Sequence, residues 1–451
     1  MLKEEVRILT PTGMLGYGIP KQWFQKGLEL NPDVITADAG STDSGPQKLA
    51  LGSTTCSEEA YTKEIELLLD ACHERKIPVY ISSAGGDGSN GHVDLFVDIV
   101  KGIATRKGYH FKIAAIYSDI DKDLVKEKIR AGKVSPCGPL KDLTEEEVDA
   151  ATVIVAQMGA EPFLKAIKEA NPDVIIAGRA YDPAPTAAYG ILHGFDPALS
   201  WHMGKIMECG AKCAEPNGRN IFGVLREDGF VLEPLNPDEK CTIQSVAVHS
   251  LYEKSHPYLL PGPGGTLNVK GCRFEQIADR SVRVSQSKWT PTPYTVKLEG
   301  AKRVGYRAIC VAGVRDPILI AHIDELLATV DRKVREDFGE TYPDYRLIPH
   351  IYGKNGVMAE LEPHPEEVAK ELCVILEVAA PTQHIATTIC NRARILLLHQ
   401  PYTDRIATSG NVAFPFTPLE IPLGEVCQFN IYHLMEIDDP CKLFPIRYLE
   451  V

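Results

Sequence analysis

Six short apolar runs alternate with amphipathic segments through the first half of this 451-residue chain. They are VRILT at 6–10, DVITAD at 33–38, PVYISS at 78–83, KIAAIY at 112–117, TVIVAQ at 152–157 and DVIIAG at 173–178. Strands that alternate with helices form parallel sheets, and runs without a polar face are typical of strands that helices cover on both sides. The pattern predicts an α/β fold with a doubly wound, mostly parallel sheet in the N-terminal half.

Beyond residue 215 the sequence loosens into segments rich in proline and glycine, such as LEPLNPDEK and LLPGPGGTLNV. We therefore expect a parallel α/β domain over 1–215 that carries the loops of a cleft, followed by an irregular connecting region over 216–290. Later strand-like and helix-like segments, with a proline-rich tail, predict a smaller α+β domain over 291–451.

The composition is that of a soluble globular protein, with 44% hydrophobic and 24% charged residues, and the formal net charge is −13. Because this charge gives no attraction to phosphodiesters or anionic lipid, we expect neither a nucleic-acid partner nor a membrane partner. Twelve scattered cysteines without a CxxC motif favour reduced thiols. Since no stretch resembles a signal peptide or a membrane span, the sequence predicts a cytoplasmic protein.

Polar loops follow the apolar runs, and in an open α/β sheet such loops meet at the carboxyl edge, where ligands bind. AGSTDSGP contains Thr42 and Asp43, and GRAYDPAP contains Arg179 and Asp182. A guanidinium at a strand end suits a carboxylate or a phosphate, so we predict that Arg179 and Thr42 bind substrate. Asp43 and Asp182 are predicted catalytic carboxyls. The alternative for Asp182 is an ordinary helix cap, because Asp-Pro is common where helices begin.

SAGGDGSNGH at 83–92 joins the third run to a helix. A glycine loop in this context can hold an anion with its backbone N–H groups. The predicted substrate-binding residues of this loop are Ser83, Gly86, Asp87, Gly88 and Gly91. The alternative is a tight turn in which Asn90 caps the helix, since the charge of Asp87 would repel a phosphate.

WHMGKIMECGAKCAEP at 201–216 places an imidazole, an amine and a carboxyl within two helical turns. Lys205 and Glu208 share a helix face at their spacing of three. We predict that His202 and Glu208 are catalytic and that Lys205 binds substrate; a packed core helix is the alternative. Zinc-type spacings such as HExxH are absent from the sequence, so a divalent metal would need ligands from several loops.

Five motifs resemble, in order, those of the acyclic terpene utilisation (AtuA-like) family. They are DAGSTDSGP, SSAGGDGSNG, AQMGAEPFLKAI, AGRAYDPAP and HMGKIMECGAKCAEP. The resemblance covers roughly residues 5–380 and implies a catabolic protein for branched or acyclic acids, often handled as CoA thioesters. Longer relatives carry a further C-terminal motif that this tail does not show. The resemblance therefore implies a small partner protein that completes the site, a homo-oligomer, or both.

Proton transfer beside a carbonyl needs a base, an acid and donors for the enolate oxygen. The candidate residues meet this need, so we predict a hydratase-like lyase or isomerase for a small carboxylic acid or its CoA thioester. Two alternatives stay open: a metal-dependent hydrolase, and a non-catalytic subunit that binds an acyl-CoA. The ligands of a divalent metal would be Asp43, Asp182, His202 and Glu208.

Overall fold

A computed structural model describes residues 3–40 and 45–451. The chain divides into two compact units. The first contains the described residues up to Lys302 together with Phe429–Val451, and the second contains Arg303–Gln428. None of the described helices is both long and apolar enough to span a membrane.

The N-terminal part of the first unit alternates strands and helices, as the apolar runs predict. The elements are β1 Glu5–Thr10, α1 Lys21–Glu29, β2 Val34–Asp38, α2 Pro46–Leu51, α3 Glu58–Arg75, β3 Val79–Ser82, α4 Asn90–Lys107, β4 Lys112–Ile116, α5 Lys122–Arg130, β5 Val134–Pro136, α6 Glu145–Ala150, β6 Val153–Gln157, α7 Glu161–Ala170, β7 Val174–Ala177, α8 Ala184–Leu192 and α9 Pro197–Met207.

Further strands follow where the sequence indicated an irregular connection over 216–290. The elements are β8 Ala214–Glu215, β9 Ile221–Arg226, β10 Gly229–Pro234, β11 Lys240–Cys241, α10 Ile243–His249, β12 Leu259–Gly262, β13 Gly265–Asn268, β14 Arg273–Gln276, β15 Val282–Ser285, β16 Lys288–Pro291 and β17 Thr295–Val314. Proline and glycine mark the tight turns between these short strands rather than a loose linker.

The remaining elements are α11 Pro317–Ala321, α12 Ile323–Phe338, β18 Arg346–Tyr352, β19 Leu372–Ala380, α13 Gln383–His399, β20 Val412–Ala413, β21 Ile421–Glu436 and β22 Ile446–Glu450. In the second unit, β18 and β17 flank β19 in antiparallel pairs. Their apolar side chains share one core with those of α12 and α13. The second unit therefore combines antiparallel strands with helices around one core.

A mixed sheet forms the centre of the first unit. In the described residues its ten strands run in the order β14-β15-β10-β9-β1-β2-β3-β7-β4-β22. The pairs between β1 and β4 in this order are parallel, whereas the outer strands pair antiparallel. The predicted α/β class is confirmed, but the sheet is mixed rather than mostly parallel, because the chain after residue 216 adds antiparallel strands at one edge and β22 closes the other.

Helices cover both faces of the parallel strands, which explains their continuous apolar sequence. Val34 and Ile175 point to the face that α7, α8 and α9 cover. Ile35 and Ile176 point to the opposite face, beneath α1, α3 and α4. This alternation is the period of two expected of a strand.

The fifth predicted run, TVIVAQ, becomes the strand β6 but does not join this sheet. β6 pairs antiparallel with β17, so that Gln157 lies opposite Lys297 and Val155 lies opposite Glu299. Apolar periodicity indicates a strand without identifying its neighbour. The pairing brings two charged residues of β17 to the end of the sheet.

Glycines allow the loops after β2, β3 and β7 to touch. A Cβ on Gly40 would lie 2.1 Å from the carbonyl oxygen of Gly86, and a Cβ on Gly88 would lie 2.2 Å from the backbone nitrogen of Arg179. Gly88 also has a left-handed φ of +69°. The glycine loop is therefore required for close backbone packing at the carboxyl edge of the sheet.

We expect Gly88→Ala to lower the free energy of unfolding by about 2 kcal/mol, because the new methyl group meets backbone atoms and the residue keeps a left-handed φ. Gly91→Ala is the matched control from the same loop. A Cβ at Gly91 meets no atom within 4 Å, and alanine is the better helix residue. Chemical denaturation measures both; equal stability of the two variants would contradict the packing role.

Candidate functional site

Two adjoining cavities lie within the first unit. The first cavity has a volume of about 550 Å³ and the second a volume of about 490 Å³. Both are lined by Asp182, Glu208 and Glu253. Asp182 follows β7, whereas Glu208 directly follows α9. Two predicted catalytic carboxyls therefore lie together at the junction of the two cavities.

Arg179 is a buried cation whose donors are largely used within the protein. Its Nε donates to Glu299 Oε2 at 2.7 Å, and its Nη1 donates to Asp182 Oδ1 at 3.1 Å. Nη1 also lies 3.2 Å from Ser83 Oγ. Although Arg179 lines the first cavity, these contacts make it an anchor for Asp182 rather than the free substrate-binding fork that the sequence predicts.

Glu299 neutralises this cation from β17, and sequence reasoning did not identify it. Lys297, two residues earlier and so on the same strand face, lies 2.9 Å from Glu299 Oε1. Burial disfavours the Glu299 carboxylate, but the charges of Arg179 and Lys297 outweigh burial and lower the pKa of Glu299 to about 2. Glu299 therefore stays ionised between two cations.

Ser83 supports the same cation from the loop after β3. It is fully buried and has a left-handed φ of +50°. Its Oγ accepts hydrogen bonds from the Arg179 side chain and, at 3.4 Å, from the backbone nitrogen of Ala180. Ser83 thus helps to position Arg179, and its substrate-binding role stays a prediction.

Asp182 has one oxygen on Arg179 and a side chain that is 30% exposed. The helix-cap alternative is wrong for this residue. α8 begins at Ala184 with Pro183 at the cap position, and no side chain among the described residues caps it. Asp182 is thus held by a buried guanidinium while it faces both cavities.

Lys205 and Glu208 form a buried ion pair, with side-chain exposures of only 4% and 3%. Glu208 Oε1 accepts from Lys205, whereas Oε2 is buried and has no hydrogen-bond partner among the described residues. Burial raises the pKa of Glu208; the charge of Lys205 opposes this shift, and the charge of Asp182 adds to it. A carboxyl with a raised pKa is suited to proton transfer near neutral pH.

Asp38, the last residue of β2, adds a fourth carboxyl to the lining of the second cavity. It accepts hydrogen bonds from Ser82 Oγ at 2.9 Å and from the backbone nitrogen of Gly40 at 3.2 Å. Burial, and then the charge of Asp182, raise the pKa of Asp38 well above its ordinary value. The second cavity is thus lined by carboxyls in different electrostatic environments.

Lys254 and Tyr181 supply donors on the wall of the first cavity. Lys254 Nζ donates to the Tyr181 hydroxyl at 2.8 Å and lies 5.0 Å from the ring centroid. An ammonium held by a neutral phenol can also donate to a substrate oxygen. This pair was also missed by the sequence analysis.

Several backbone donors in and beside the glycine loop are engaged within the protein. The residues concerned are Gly86, Asp87, Gly88 and Gly91. The backbone nitrogen of Asn90, at the start of α4, donates to Asp119 Oδ1 at 2.8 Å. That of Ser89 donates to Asp87 Oδ1 at 2.8 Å. The backbone nitrogens of Gly86 and Gly88 donate to the carbonyl oxygens of Ser83 and Ala84. These contacts give the loop a structural role, and its substrate-binding role stays a prediction.

His202 lies in the core of the first unit. It is fully buried, with Nδ1 hydrogen-bonded to Ser287 Oγ at 2.8 Å and Nε2 to Ser250 Oγ at 3.0 Å. Burial lowers its pKa to about 3. The imidazole is therefore neutral and both of its nitrogens are hydrogen-bonded within the protein, and its catalytic role stays a prediction.

Thr42 and Asp43 lie outside the described residues, so their predicted roles stay predictions. Over 3–40 and 45–451, no group of three or more His, Cys, Asp or Glu side chains is arranged to hold a metal ion. Among the predicted metal ligands, the structure brings Asp182 and Glu208 together but places His202 in the core. The four-ligand set is not assembled by the described residues.

The residues that sequence reasoning missed carry only weak signals. Asp38 ends a run that the analysis recognised as a strand, as catalytic residues of α/β folds often do. Lys297 and Glu299 are charges spaced by two in an otherwise strand-like segment, a pattern that indicates a charged strand face. Their partner Arg179 is more than a hundred residues away, so local sequence did not connect them.

These features define an α/β protein whose strand ends hold a buried ion cluster next to two cavities lined by carboxyls. The family described as acyclic terpene utilisation family protein AtuA matches residues 6–406 of the chain. The chain belongs to this family, which confirms the resemblance seen in its motifs, and the family has a role in acyclic terpene utilisation. No curated protein and no solved structure matches the chain.

We expect Glu299→Gln to lower the free energy of unfolding by about 3 kcal/mol at neutral pH, because it leaves the buried Arg179 and the partly buried Lys297 with less compensation. The ordinary pKa of this group is 4.5 and its folded pKa is lowered to about 2. The stabilisation is therefore full above 4.5 and is lost as the pH falls towards 2, so the difference between wild type and variant shrinks over that range.

Glu145→Gln serves as the control, since Glu145 pairs with Arg130 at the surface. Surface pairs contribute little, and we expect no measurable change. Urea titrations at several pH values measure both variants. A pH-independent difference, or one no larger than that of the control, would argue against the ion cluster.

Proposed function

We propose that this protein is an acid–base enzyme of acyclic terpene catabolism, a hydratase-like lyase or isomerase. Its substrate is a branched acyclic acid or the CoA thioester of one. The observation that carries the proposal is the junction of the two cavities, where Asp182 and Glu208 lie in different environments. One is bonded to a buried guanidinium, and the other is a buried carboxyl with a raised pKa. Two carboxyls in unlike environments suit the roles of acid and base.

In the proposed reaction one carboxyl removes a proton from the substrate or from water, and the other delivers a proton to carbon. Glu208 is suited to both directions because its Oε2 has no partner among the described residues. Asp182 is the second proton-transfer group, held in place by Arg179. Lys254 and Tyr181 are proposed donors to the substrate carbonyl, in place of the glycine loop. Asp43 remains a predicted further carboxyl.

Asp182→Asn and Glu208→Gln should each lower the rate by roughly 10²- to 10⁴-fold, as expected for a removed general acid or base, with the fold preserved. Asp196→Asn is a matched control: Asp196 also precedes a proline, but its side chain caps α9 by accepting from the backbone nitrogen of Ala198. Asparagine keeps that cap. We expect Asp196→Asn to retain activity.

The assay follows branched, α,β-unsaturated acyl-CoA thioesters in deuterated water by mass spectrometry. Hydration or isomerisation places deuterium on carbon. A hydrolase would instead release free CoA thiol, and an acyl-CoA-binding subunit would bind the thioester without changing it. Full deuterium incorporation by a folded Asp182→Asn or Glu208→Gln variant would remove that residue from the mechanism.

The family resemblance also supports a proposed small partner protein or a homo-oligomer. Apolar side chains of the C-terminal region are exposed, with Phe416 at 54% and Leu423 at 50%. Exposed apolar groups of this kind often mark contacts. We expect light scattering to give a mass above that of one chain, either alone or after the partner is added. A single-chain mass under both conditions would contradict this proposal.

A further inference from the structure

A third cavity, of about 790 Å³, adjoins the second along α10. The second and third cavities share three lining residues, Lys212, Asn217 and Tyr252. Because the second cavity is also lined by Glu208, the third cavity is a neighbour of the cavity that contains the proposed reaction centre. A small acid would occupy only part of this space.

The third cavity differs from the other two in its chemistry. Val248 is 64% exposed and Leu251 is 38% exposed, and both line it. Ala214 and Pro216 complete an apolar wall. Clustered apolar side chains that stay in contact with water indicate a surface that gains from being covered. An apolar ligand would bury this wall, whereas a charged group would gain nothing from it.

Tyr252 lies at the boundary between the second and third cavities. Its ring stacks on His249 with the centroids 5.4 Å apart, and the Nζ atoms of Lys205 and Lys212 lie 5.7 Å and 6.0 Å from its centroid. One aromatic ring therefore touches the apolar cavity and the lysine that pairs with Glu208. Tyr252 thus lies between the third cavity and the ion pair of Lys205 with Glu208.

We propose that the third cavity is the subsite for the apolar chain of the substrate, and that Val248 and Leu251 determine the chain length that is accepted. The inference rests on the proposed function, which places the reacting carbonyl at Asp182 and Glu208. From there the chain passes the second cavity and lies against α10. The shared lining of the second and third cavities and the apolar wall of the third favour an extended acyl chain as the occupant.

The test is a calorimetric titration of the wild-type chain with straight-chain acyl-CoA thioesters of increasing length. Each methylene that reaches the apolar wall should raise the affinity by at most about fourfold. Val248→Trp and Leu251→Trp should bind short chains as the wild type does and should lose the gain for long chains. Ile243→Trp is the control, since Ile243 is a similarly exposed residue of α10, at 46%, and does not belong to the wall described above.

If affinity depends on chain length in the same way in the wild type, in Val248→Trp, in Leu251→Trp and in the control, the subsite proposal is wrong. Such a result would favour a protein partner, rather than an acyl chain, as the group that covers the third cavity. Because the titration measures binding rather than turnover, the subsite proposal and the acid–base proposal can be contradicted independently. A length-dependent affinity without deuterium incorporation would contradict the acid–base reaction alone, while incorporation with a flat profile would contradict the subsite alone.

Discussion

The ionic contacts of Glu299 with Arg179 and Lys297 are the constraint on which the rest of the site depends. A guanidinium that is 4% exposed at the end of a buried strand is tolerable only with a carboxylate beside it. That carboxylate comes from β17, which reaches the sheet end because it pairs with β6. The residue after β6, Met158, in turn bonds to the backbone of Arg179 and Tyr181. Because β6 pairs with β17 instead of joining the parallel sheet, Glu299 of β17 lies beside Arg179 and neutralises its charge.

This balance determines how the carboxyls around the cavities differ. Glu299 is held ionised between two cations, whereas Asp38 and Glu208 have raised pKa values because burial outweighs their favourable partners. The same residue types therefore serve structure in one place and are available for proton transfer in another. The surroundings of each carboxyl, rather than its residue type, determine whether it stays ionised or has a raised pKa.

Local sequence predicts the elements of this protein better than their partners. All six apolar runs contain strands, but periodicity did not reveal that TVIVAQ pairs with β17. A glycine-rich sequence can bind an anion or can let another backbone segment approach closely, and the sequence alone does not distinguish these roles. The structure shows the close approach of the Arg179 backbone to Gly88. The same Asp-Pro sequence precedes two helices, at 182–183 and at 196–197. Only the side chain of Asp196 caps its helix. Asp182, Lys205 and Glu208 were predicted and lie together, whereas Glu299 depends on a contact too distant in sequence to infer.

The pairing of Glu208 with Lys205 has a chemical consequence of its own. A carboxyl buried alone would keep its proton at neutral pH, and the negative charge of Asp182 strengthens that tendency. Lys205 opposes both effects, so the difference in free energy between the two protonation states of Glu208 is reduced. A group that must accept a proton in one step and release it in the next needs this near-balance. In the proposed acid–base reaction, the buried lysine therefore tunes Glu208 for proton transfer at the meeting point of the cavities.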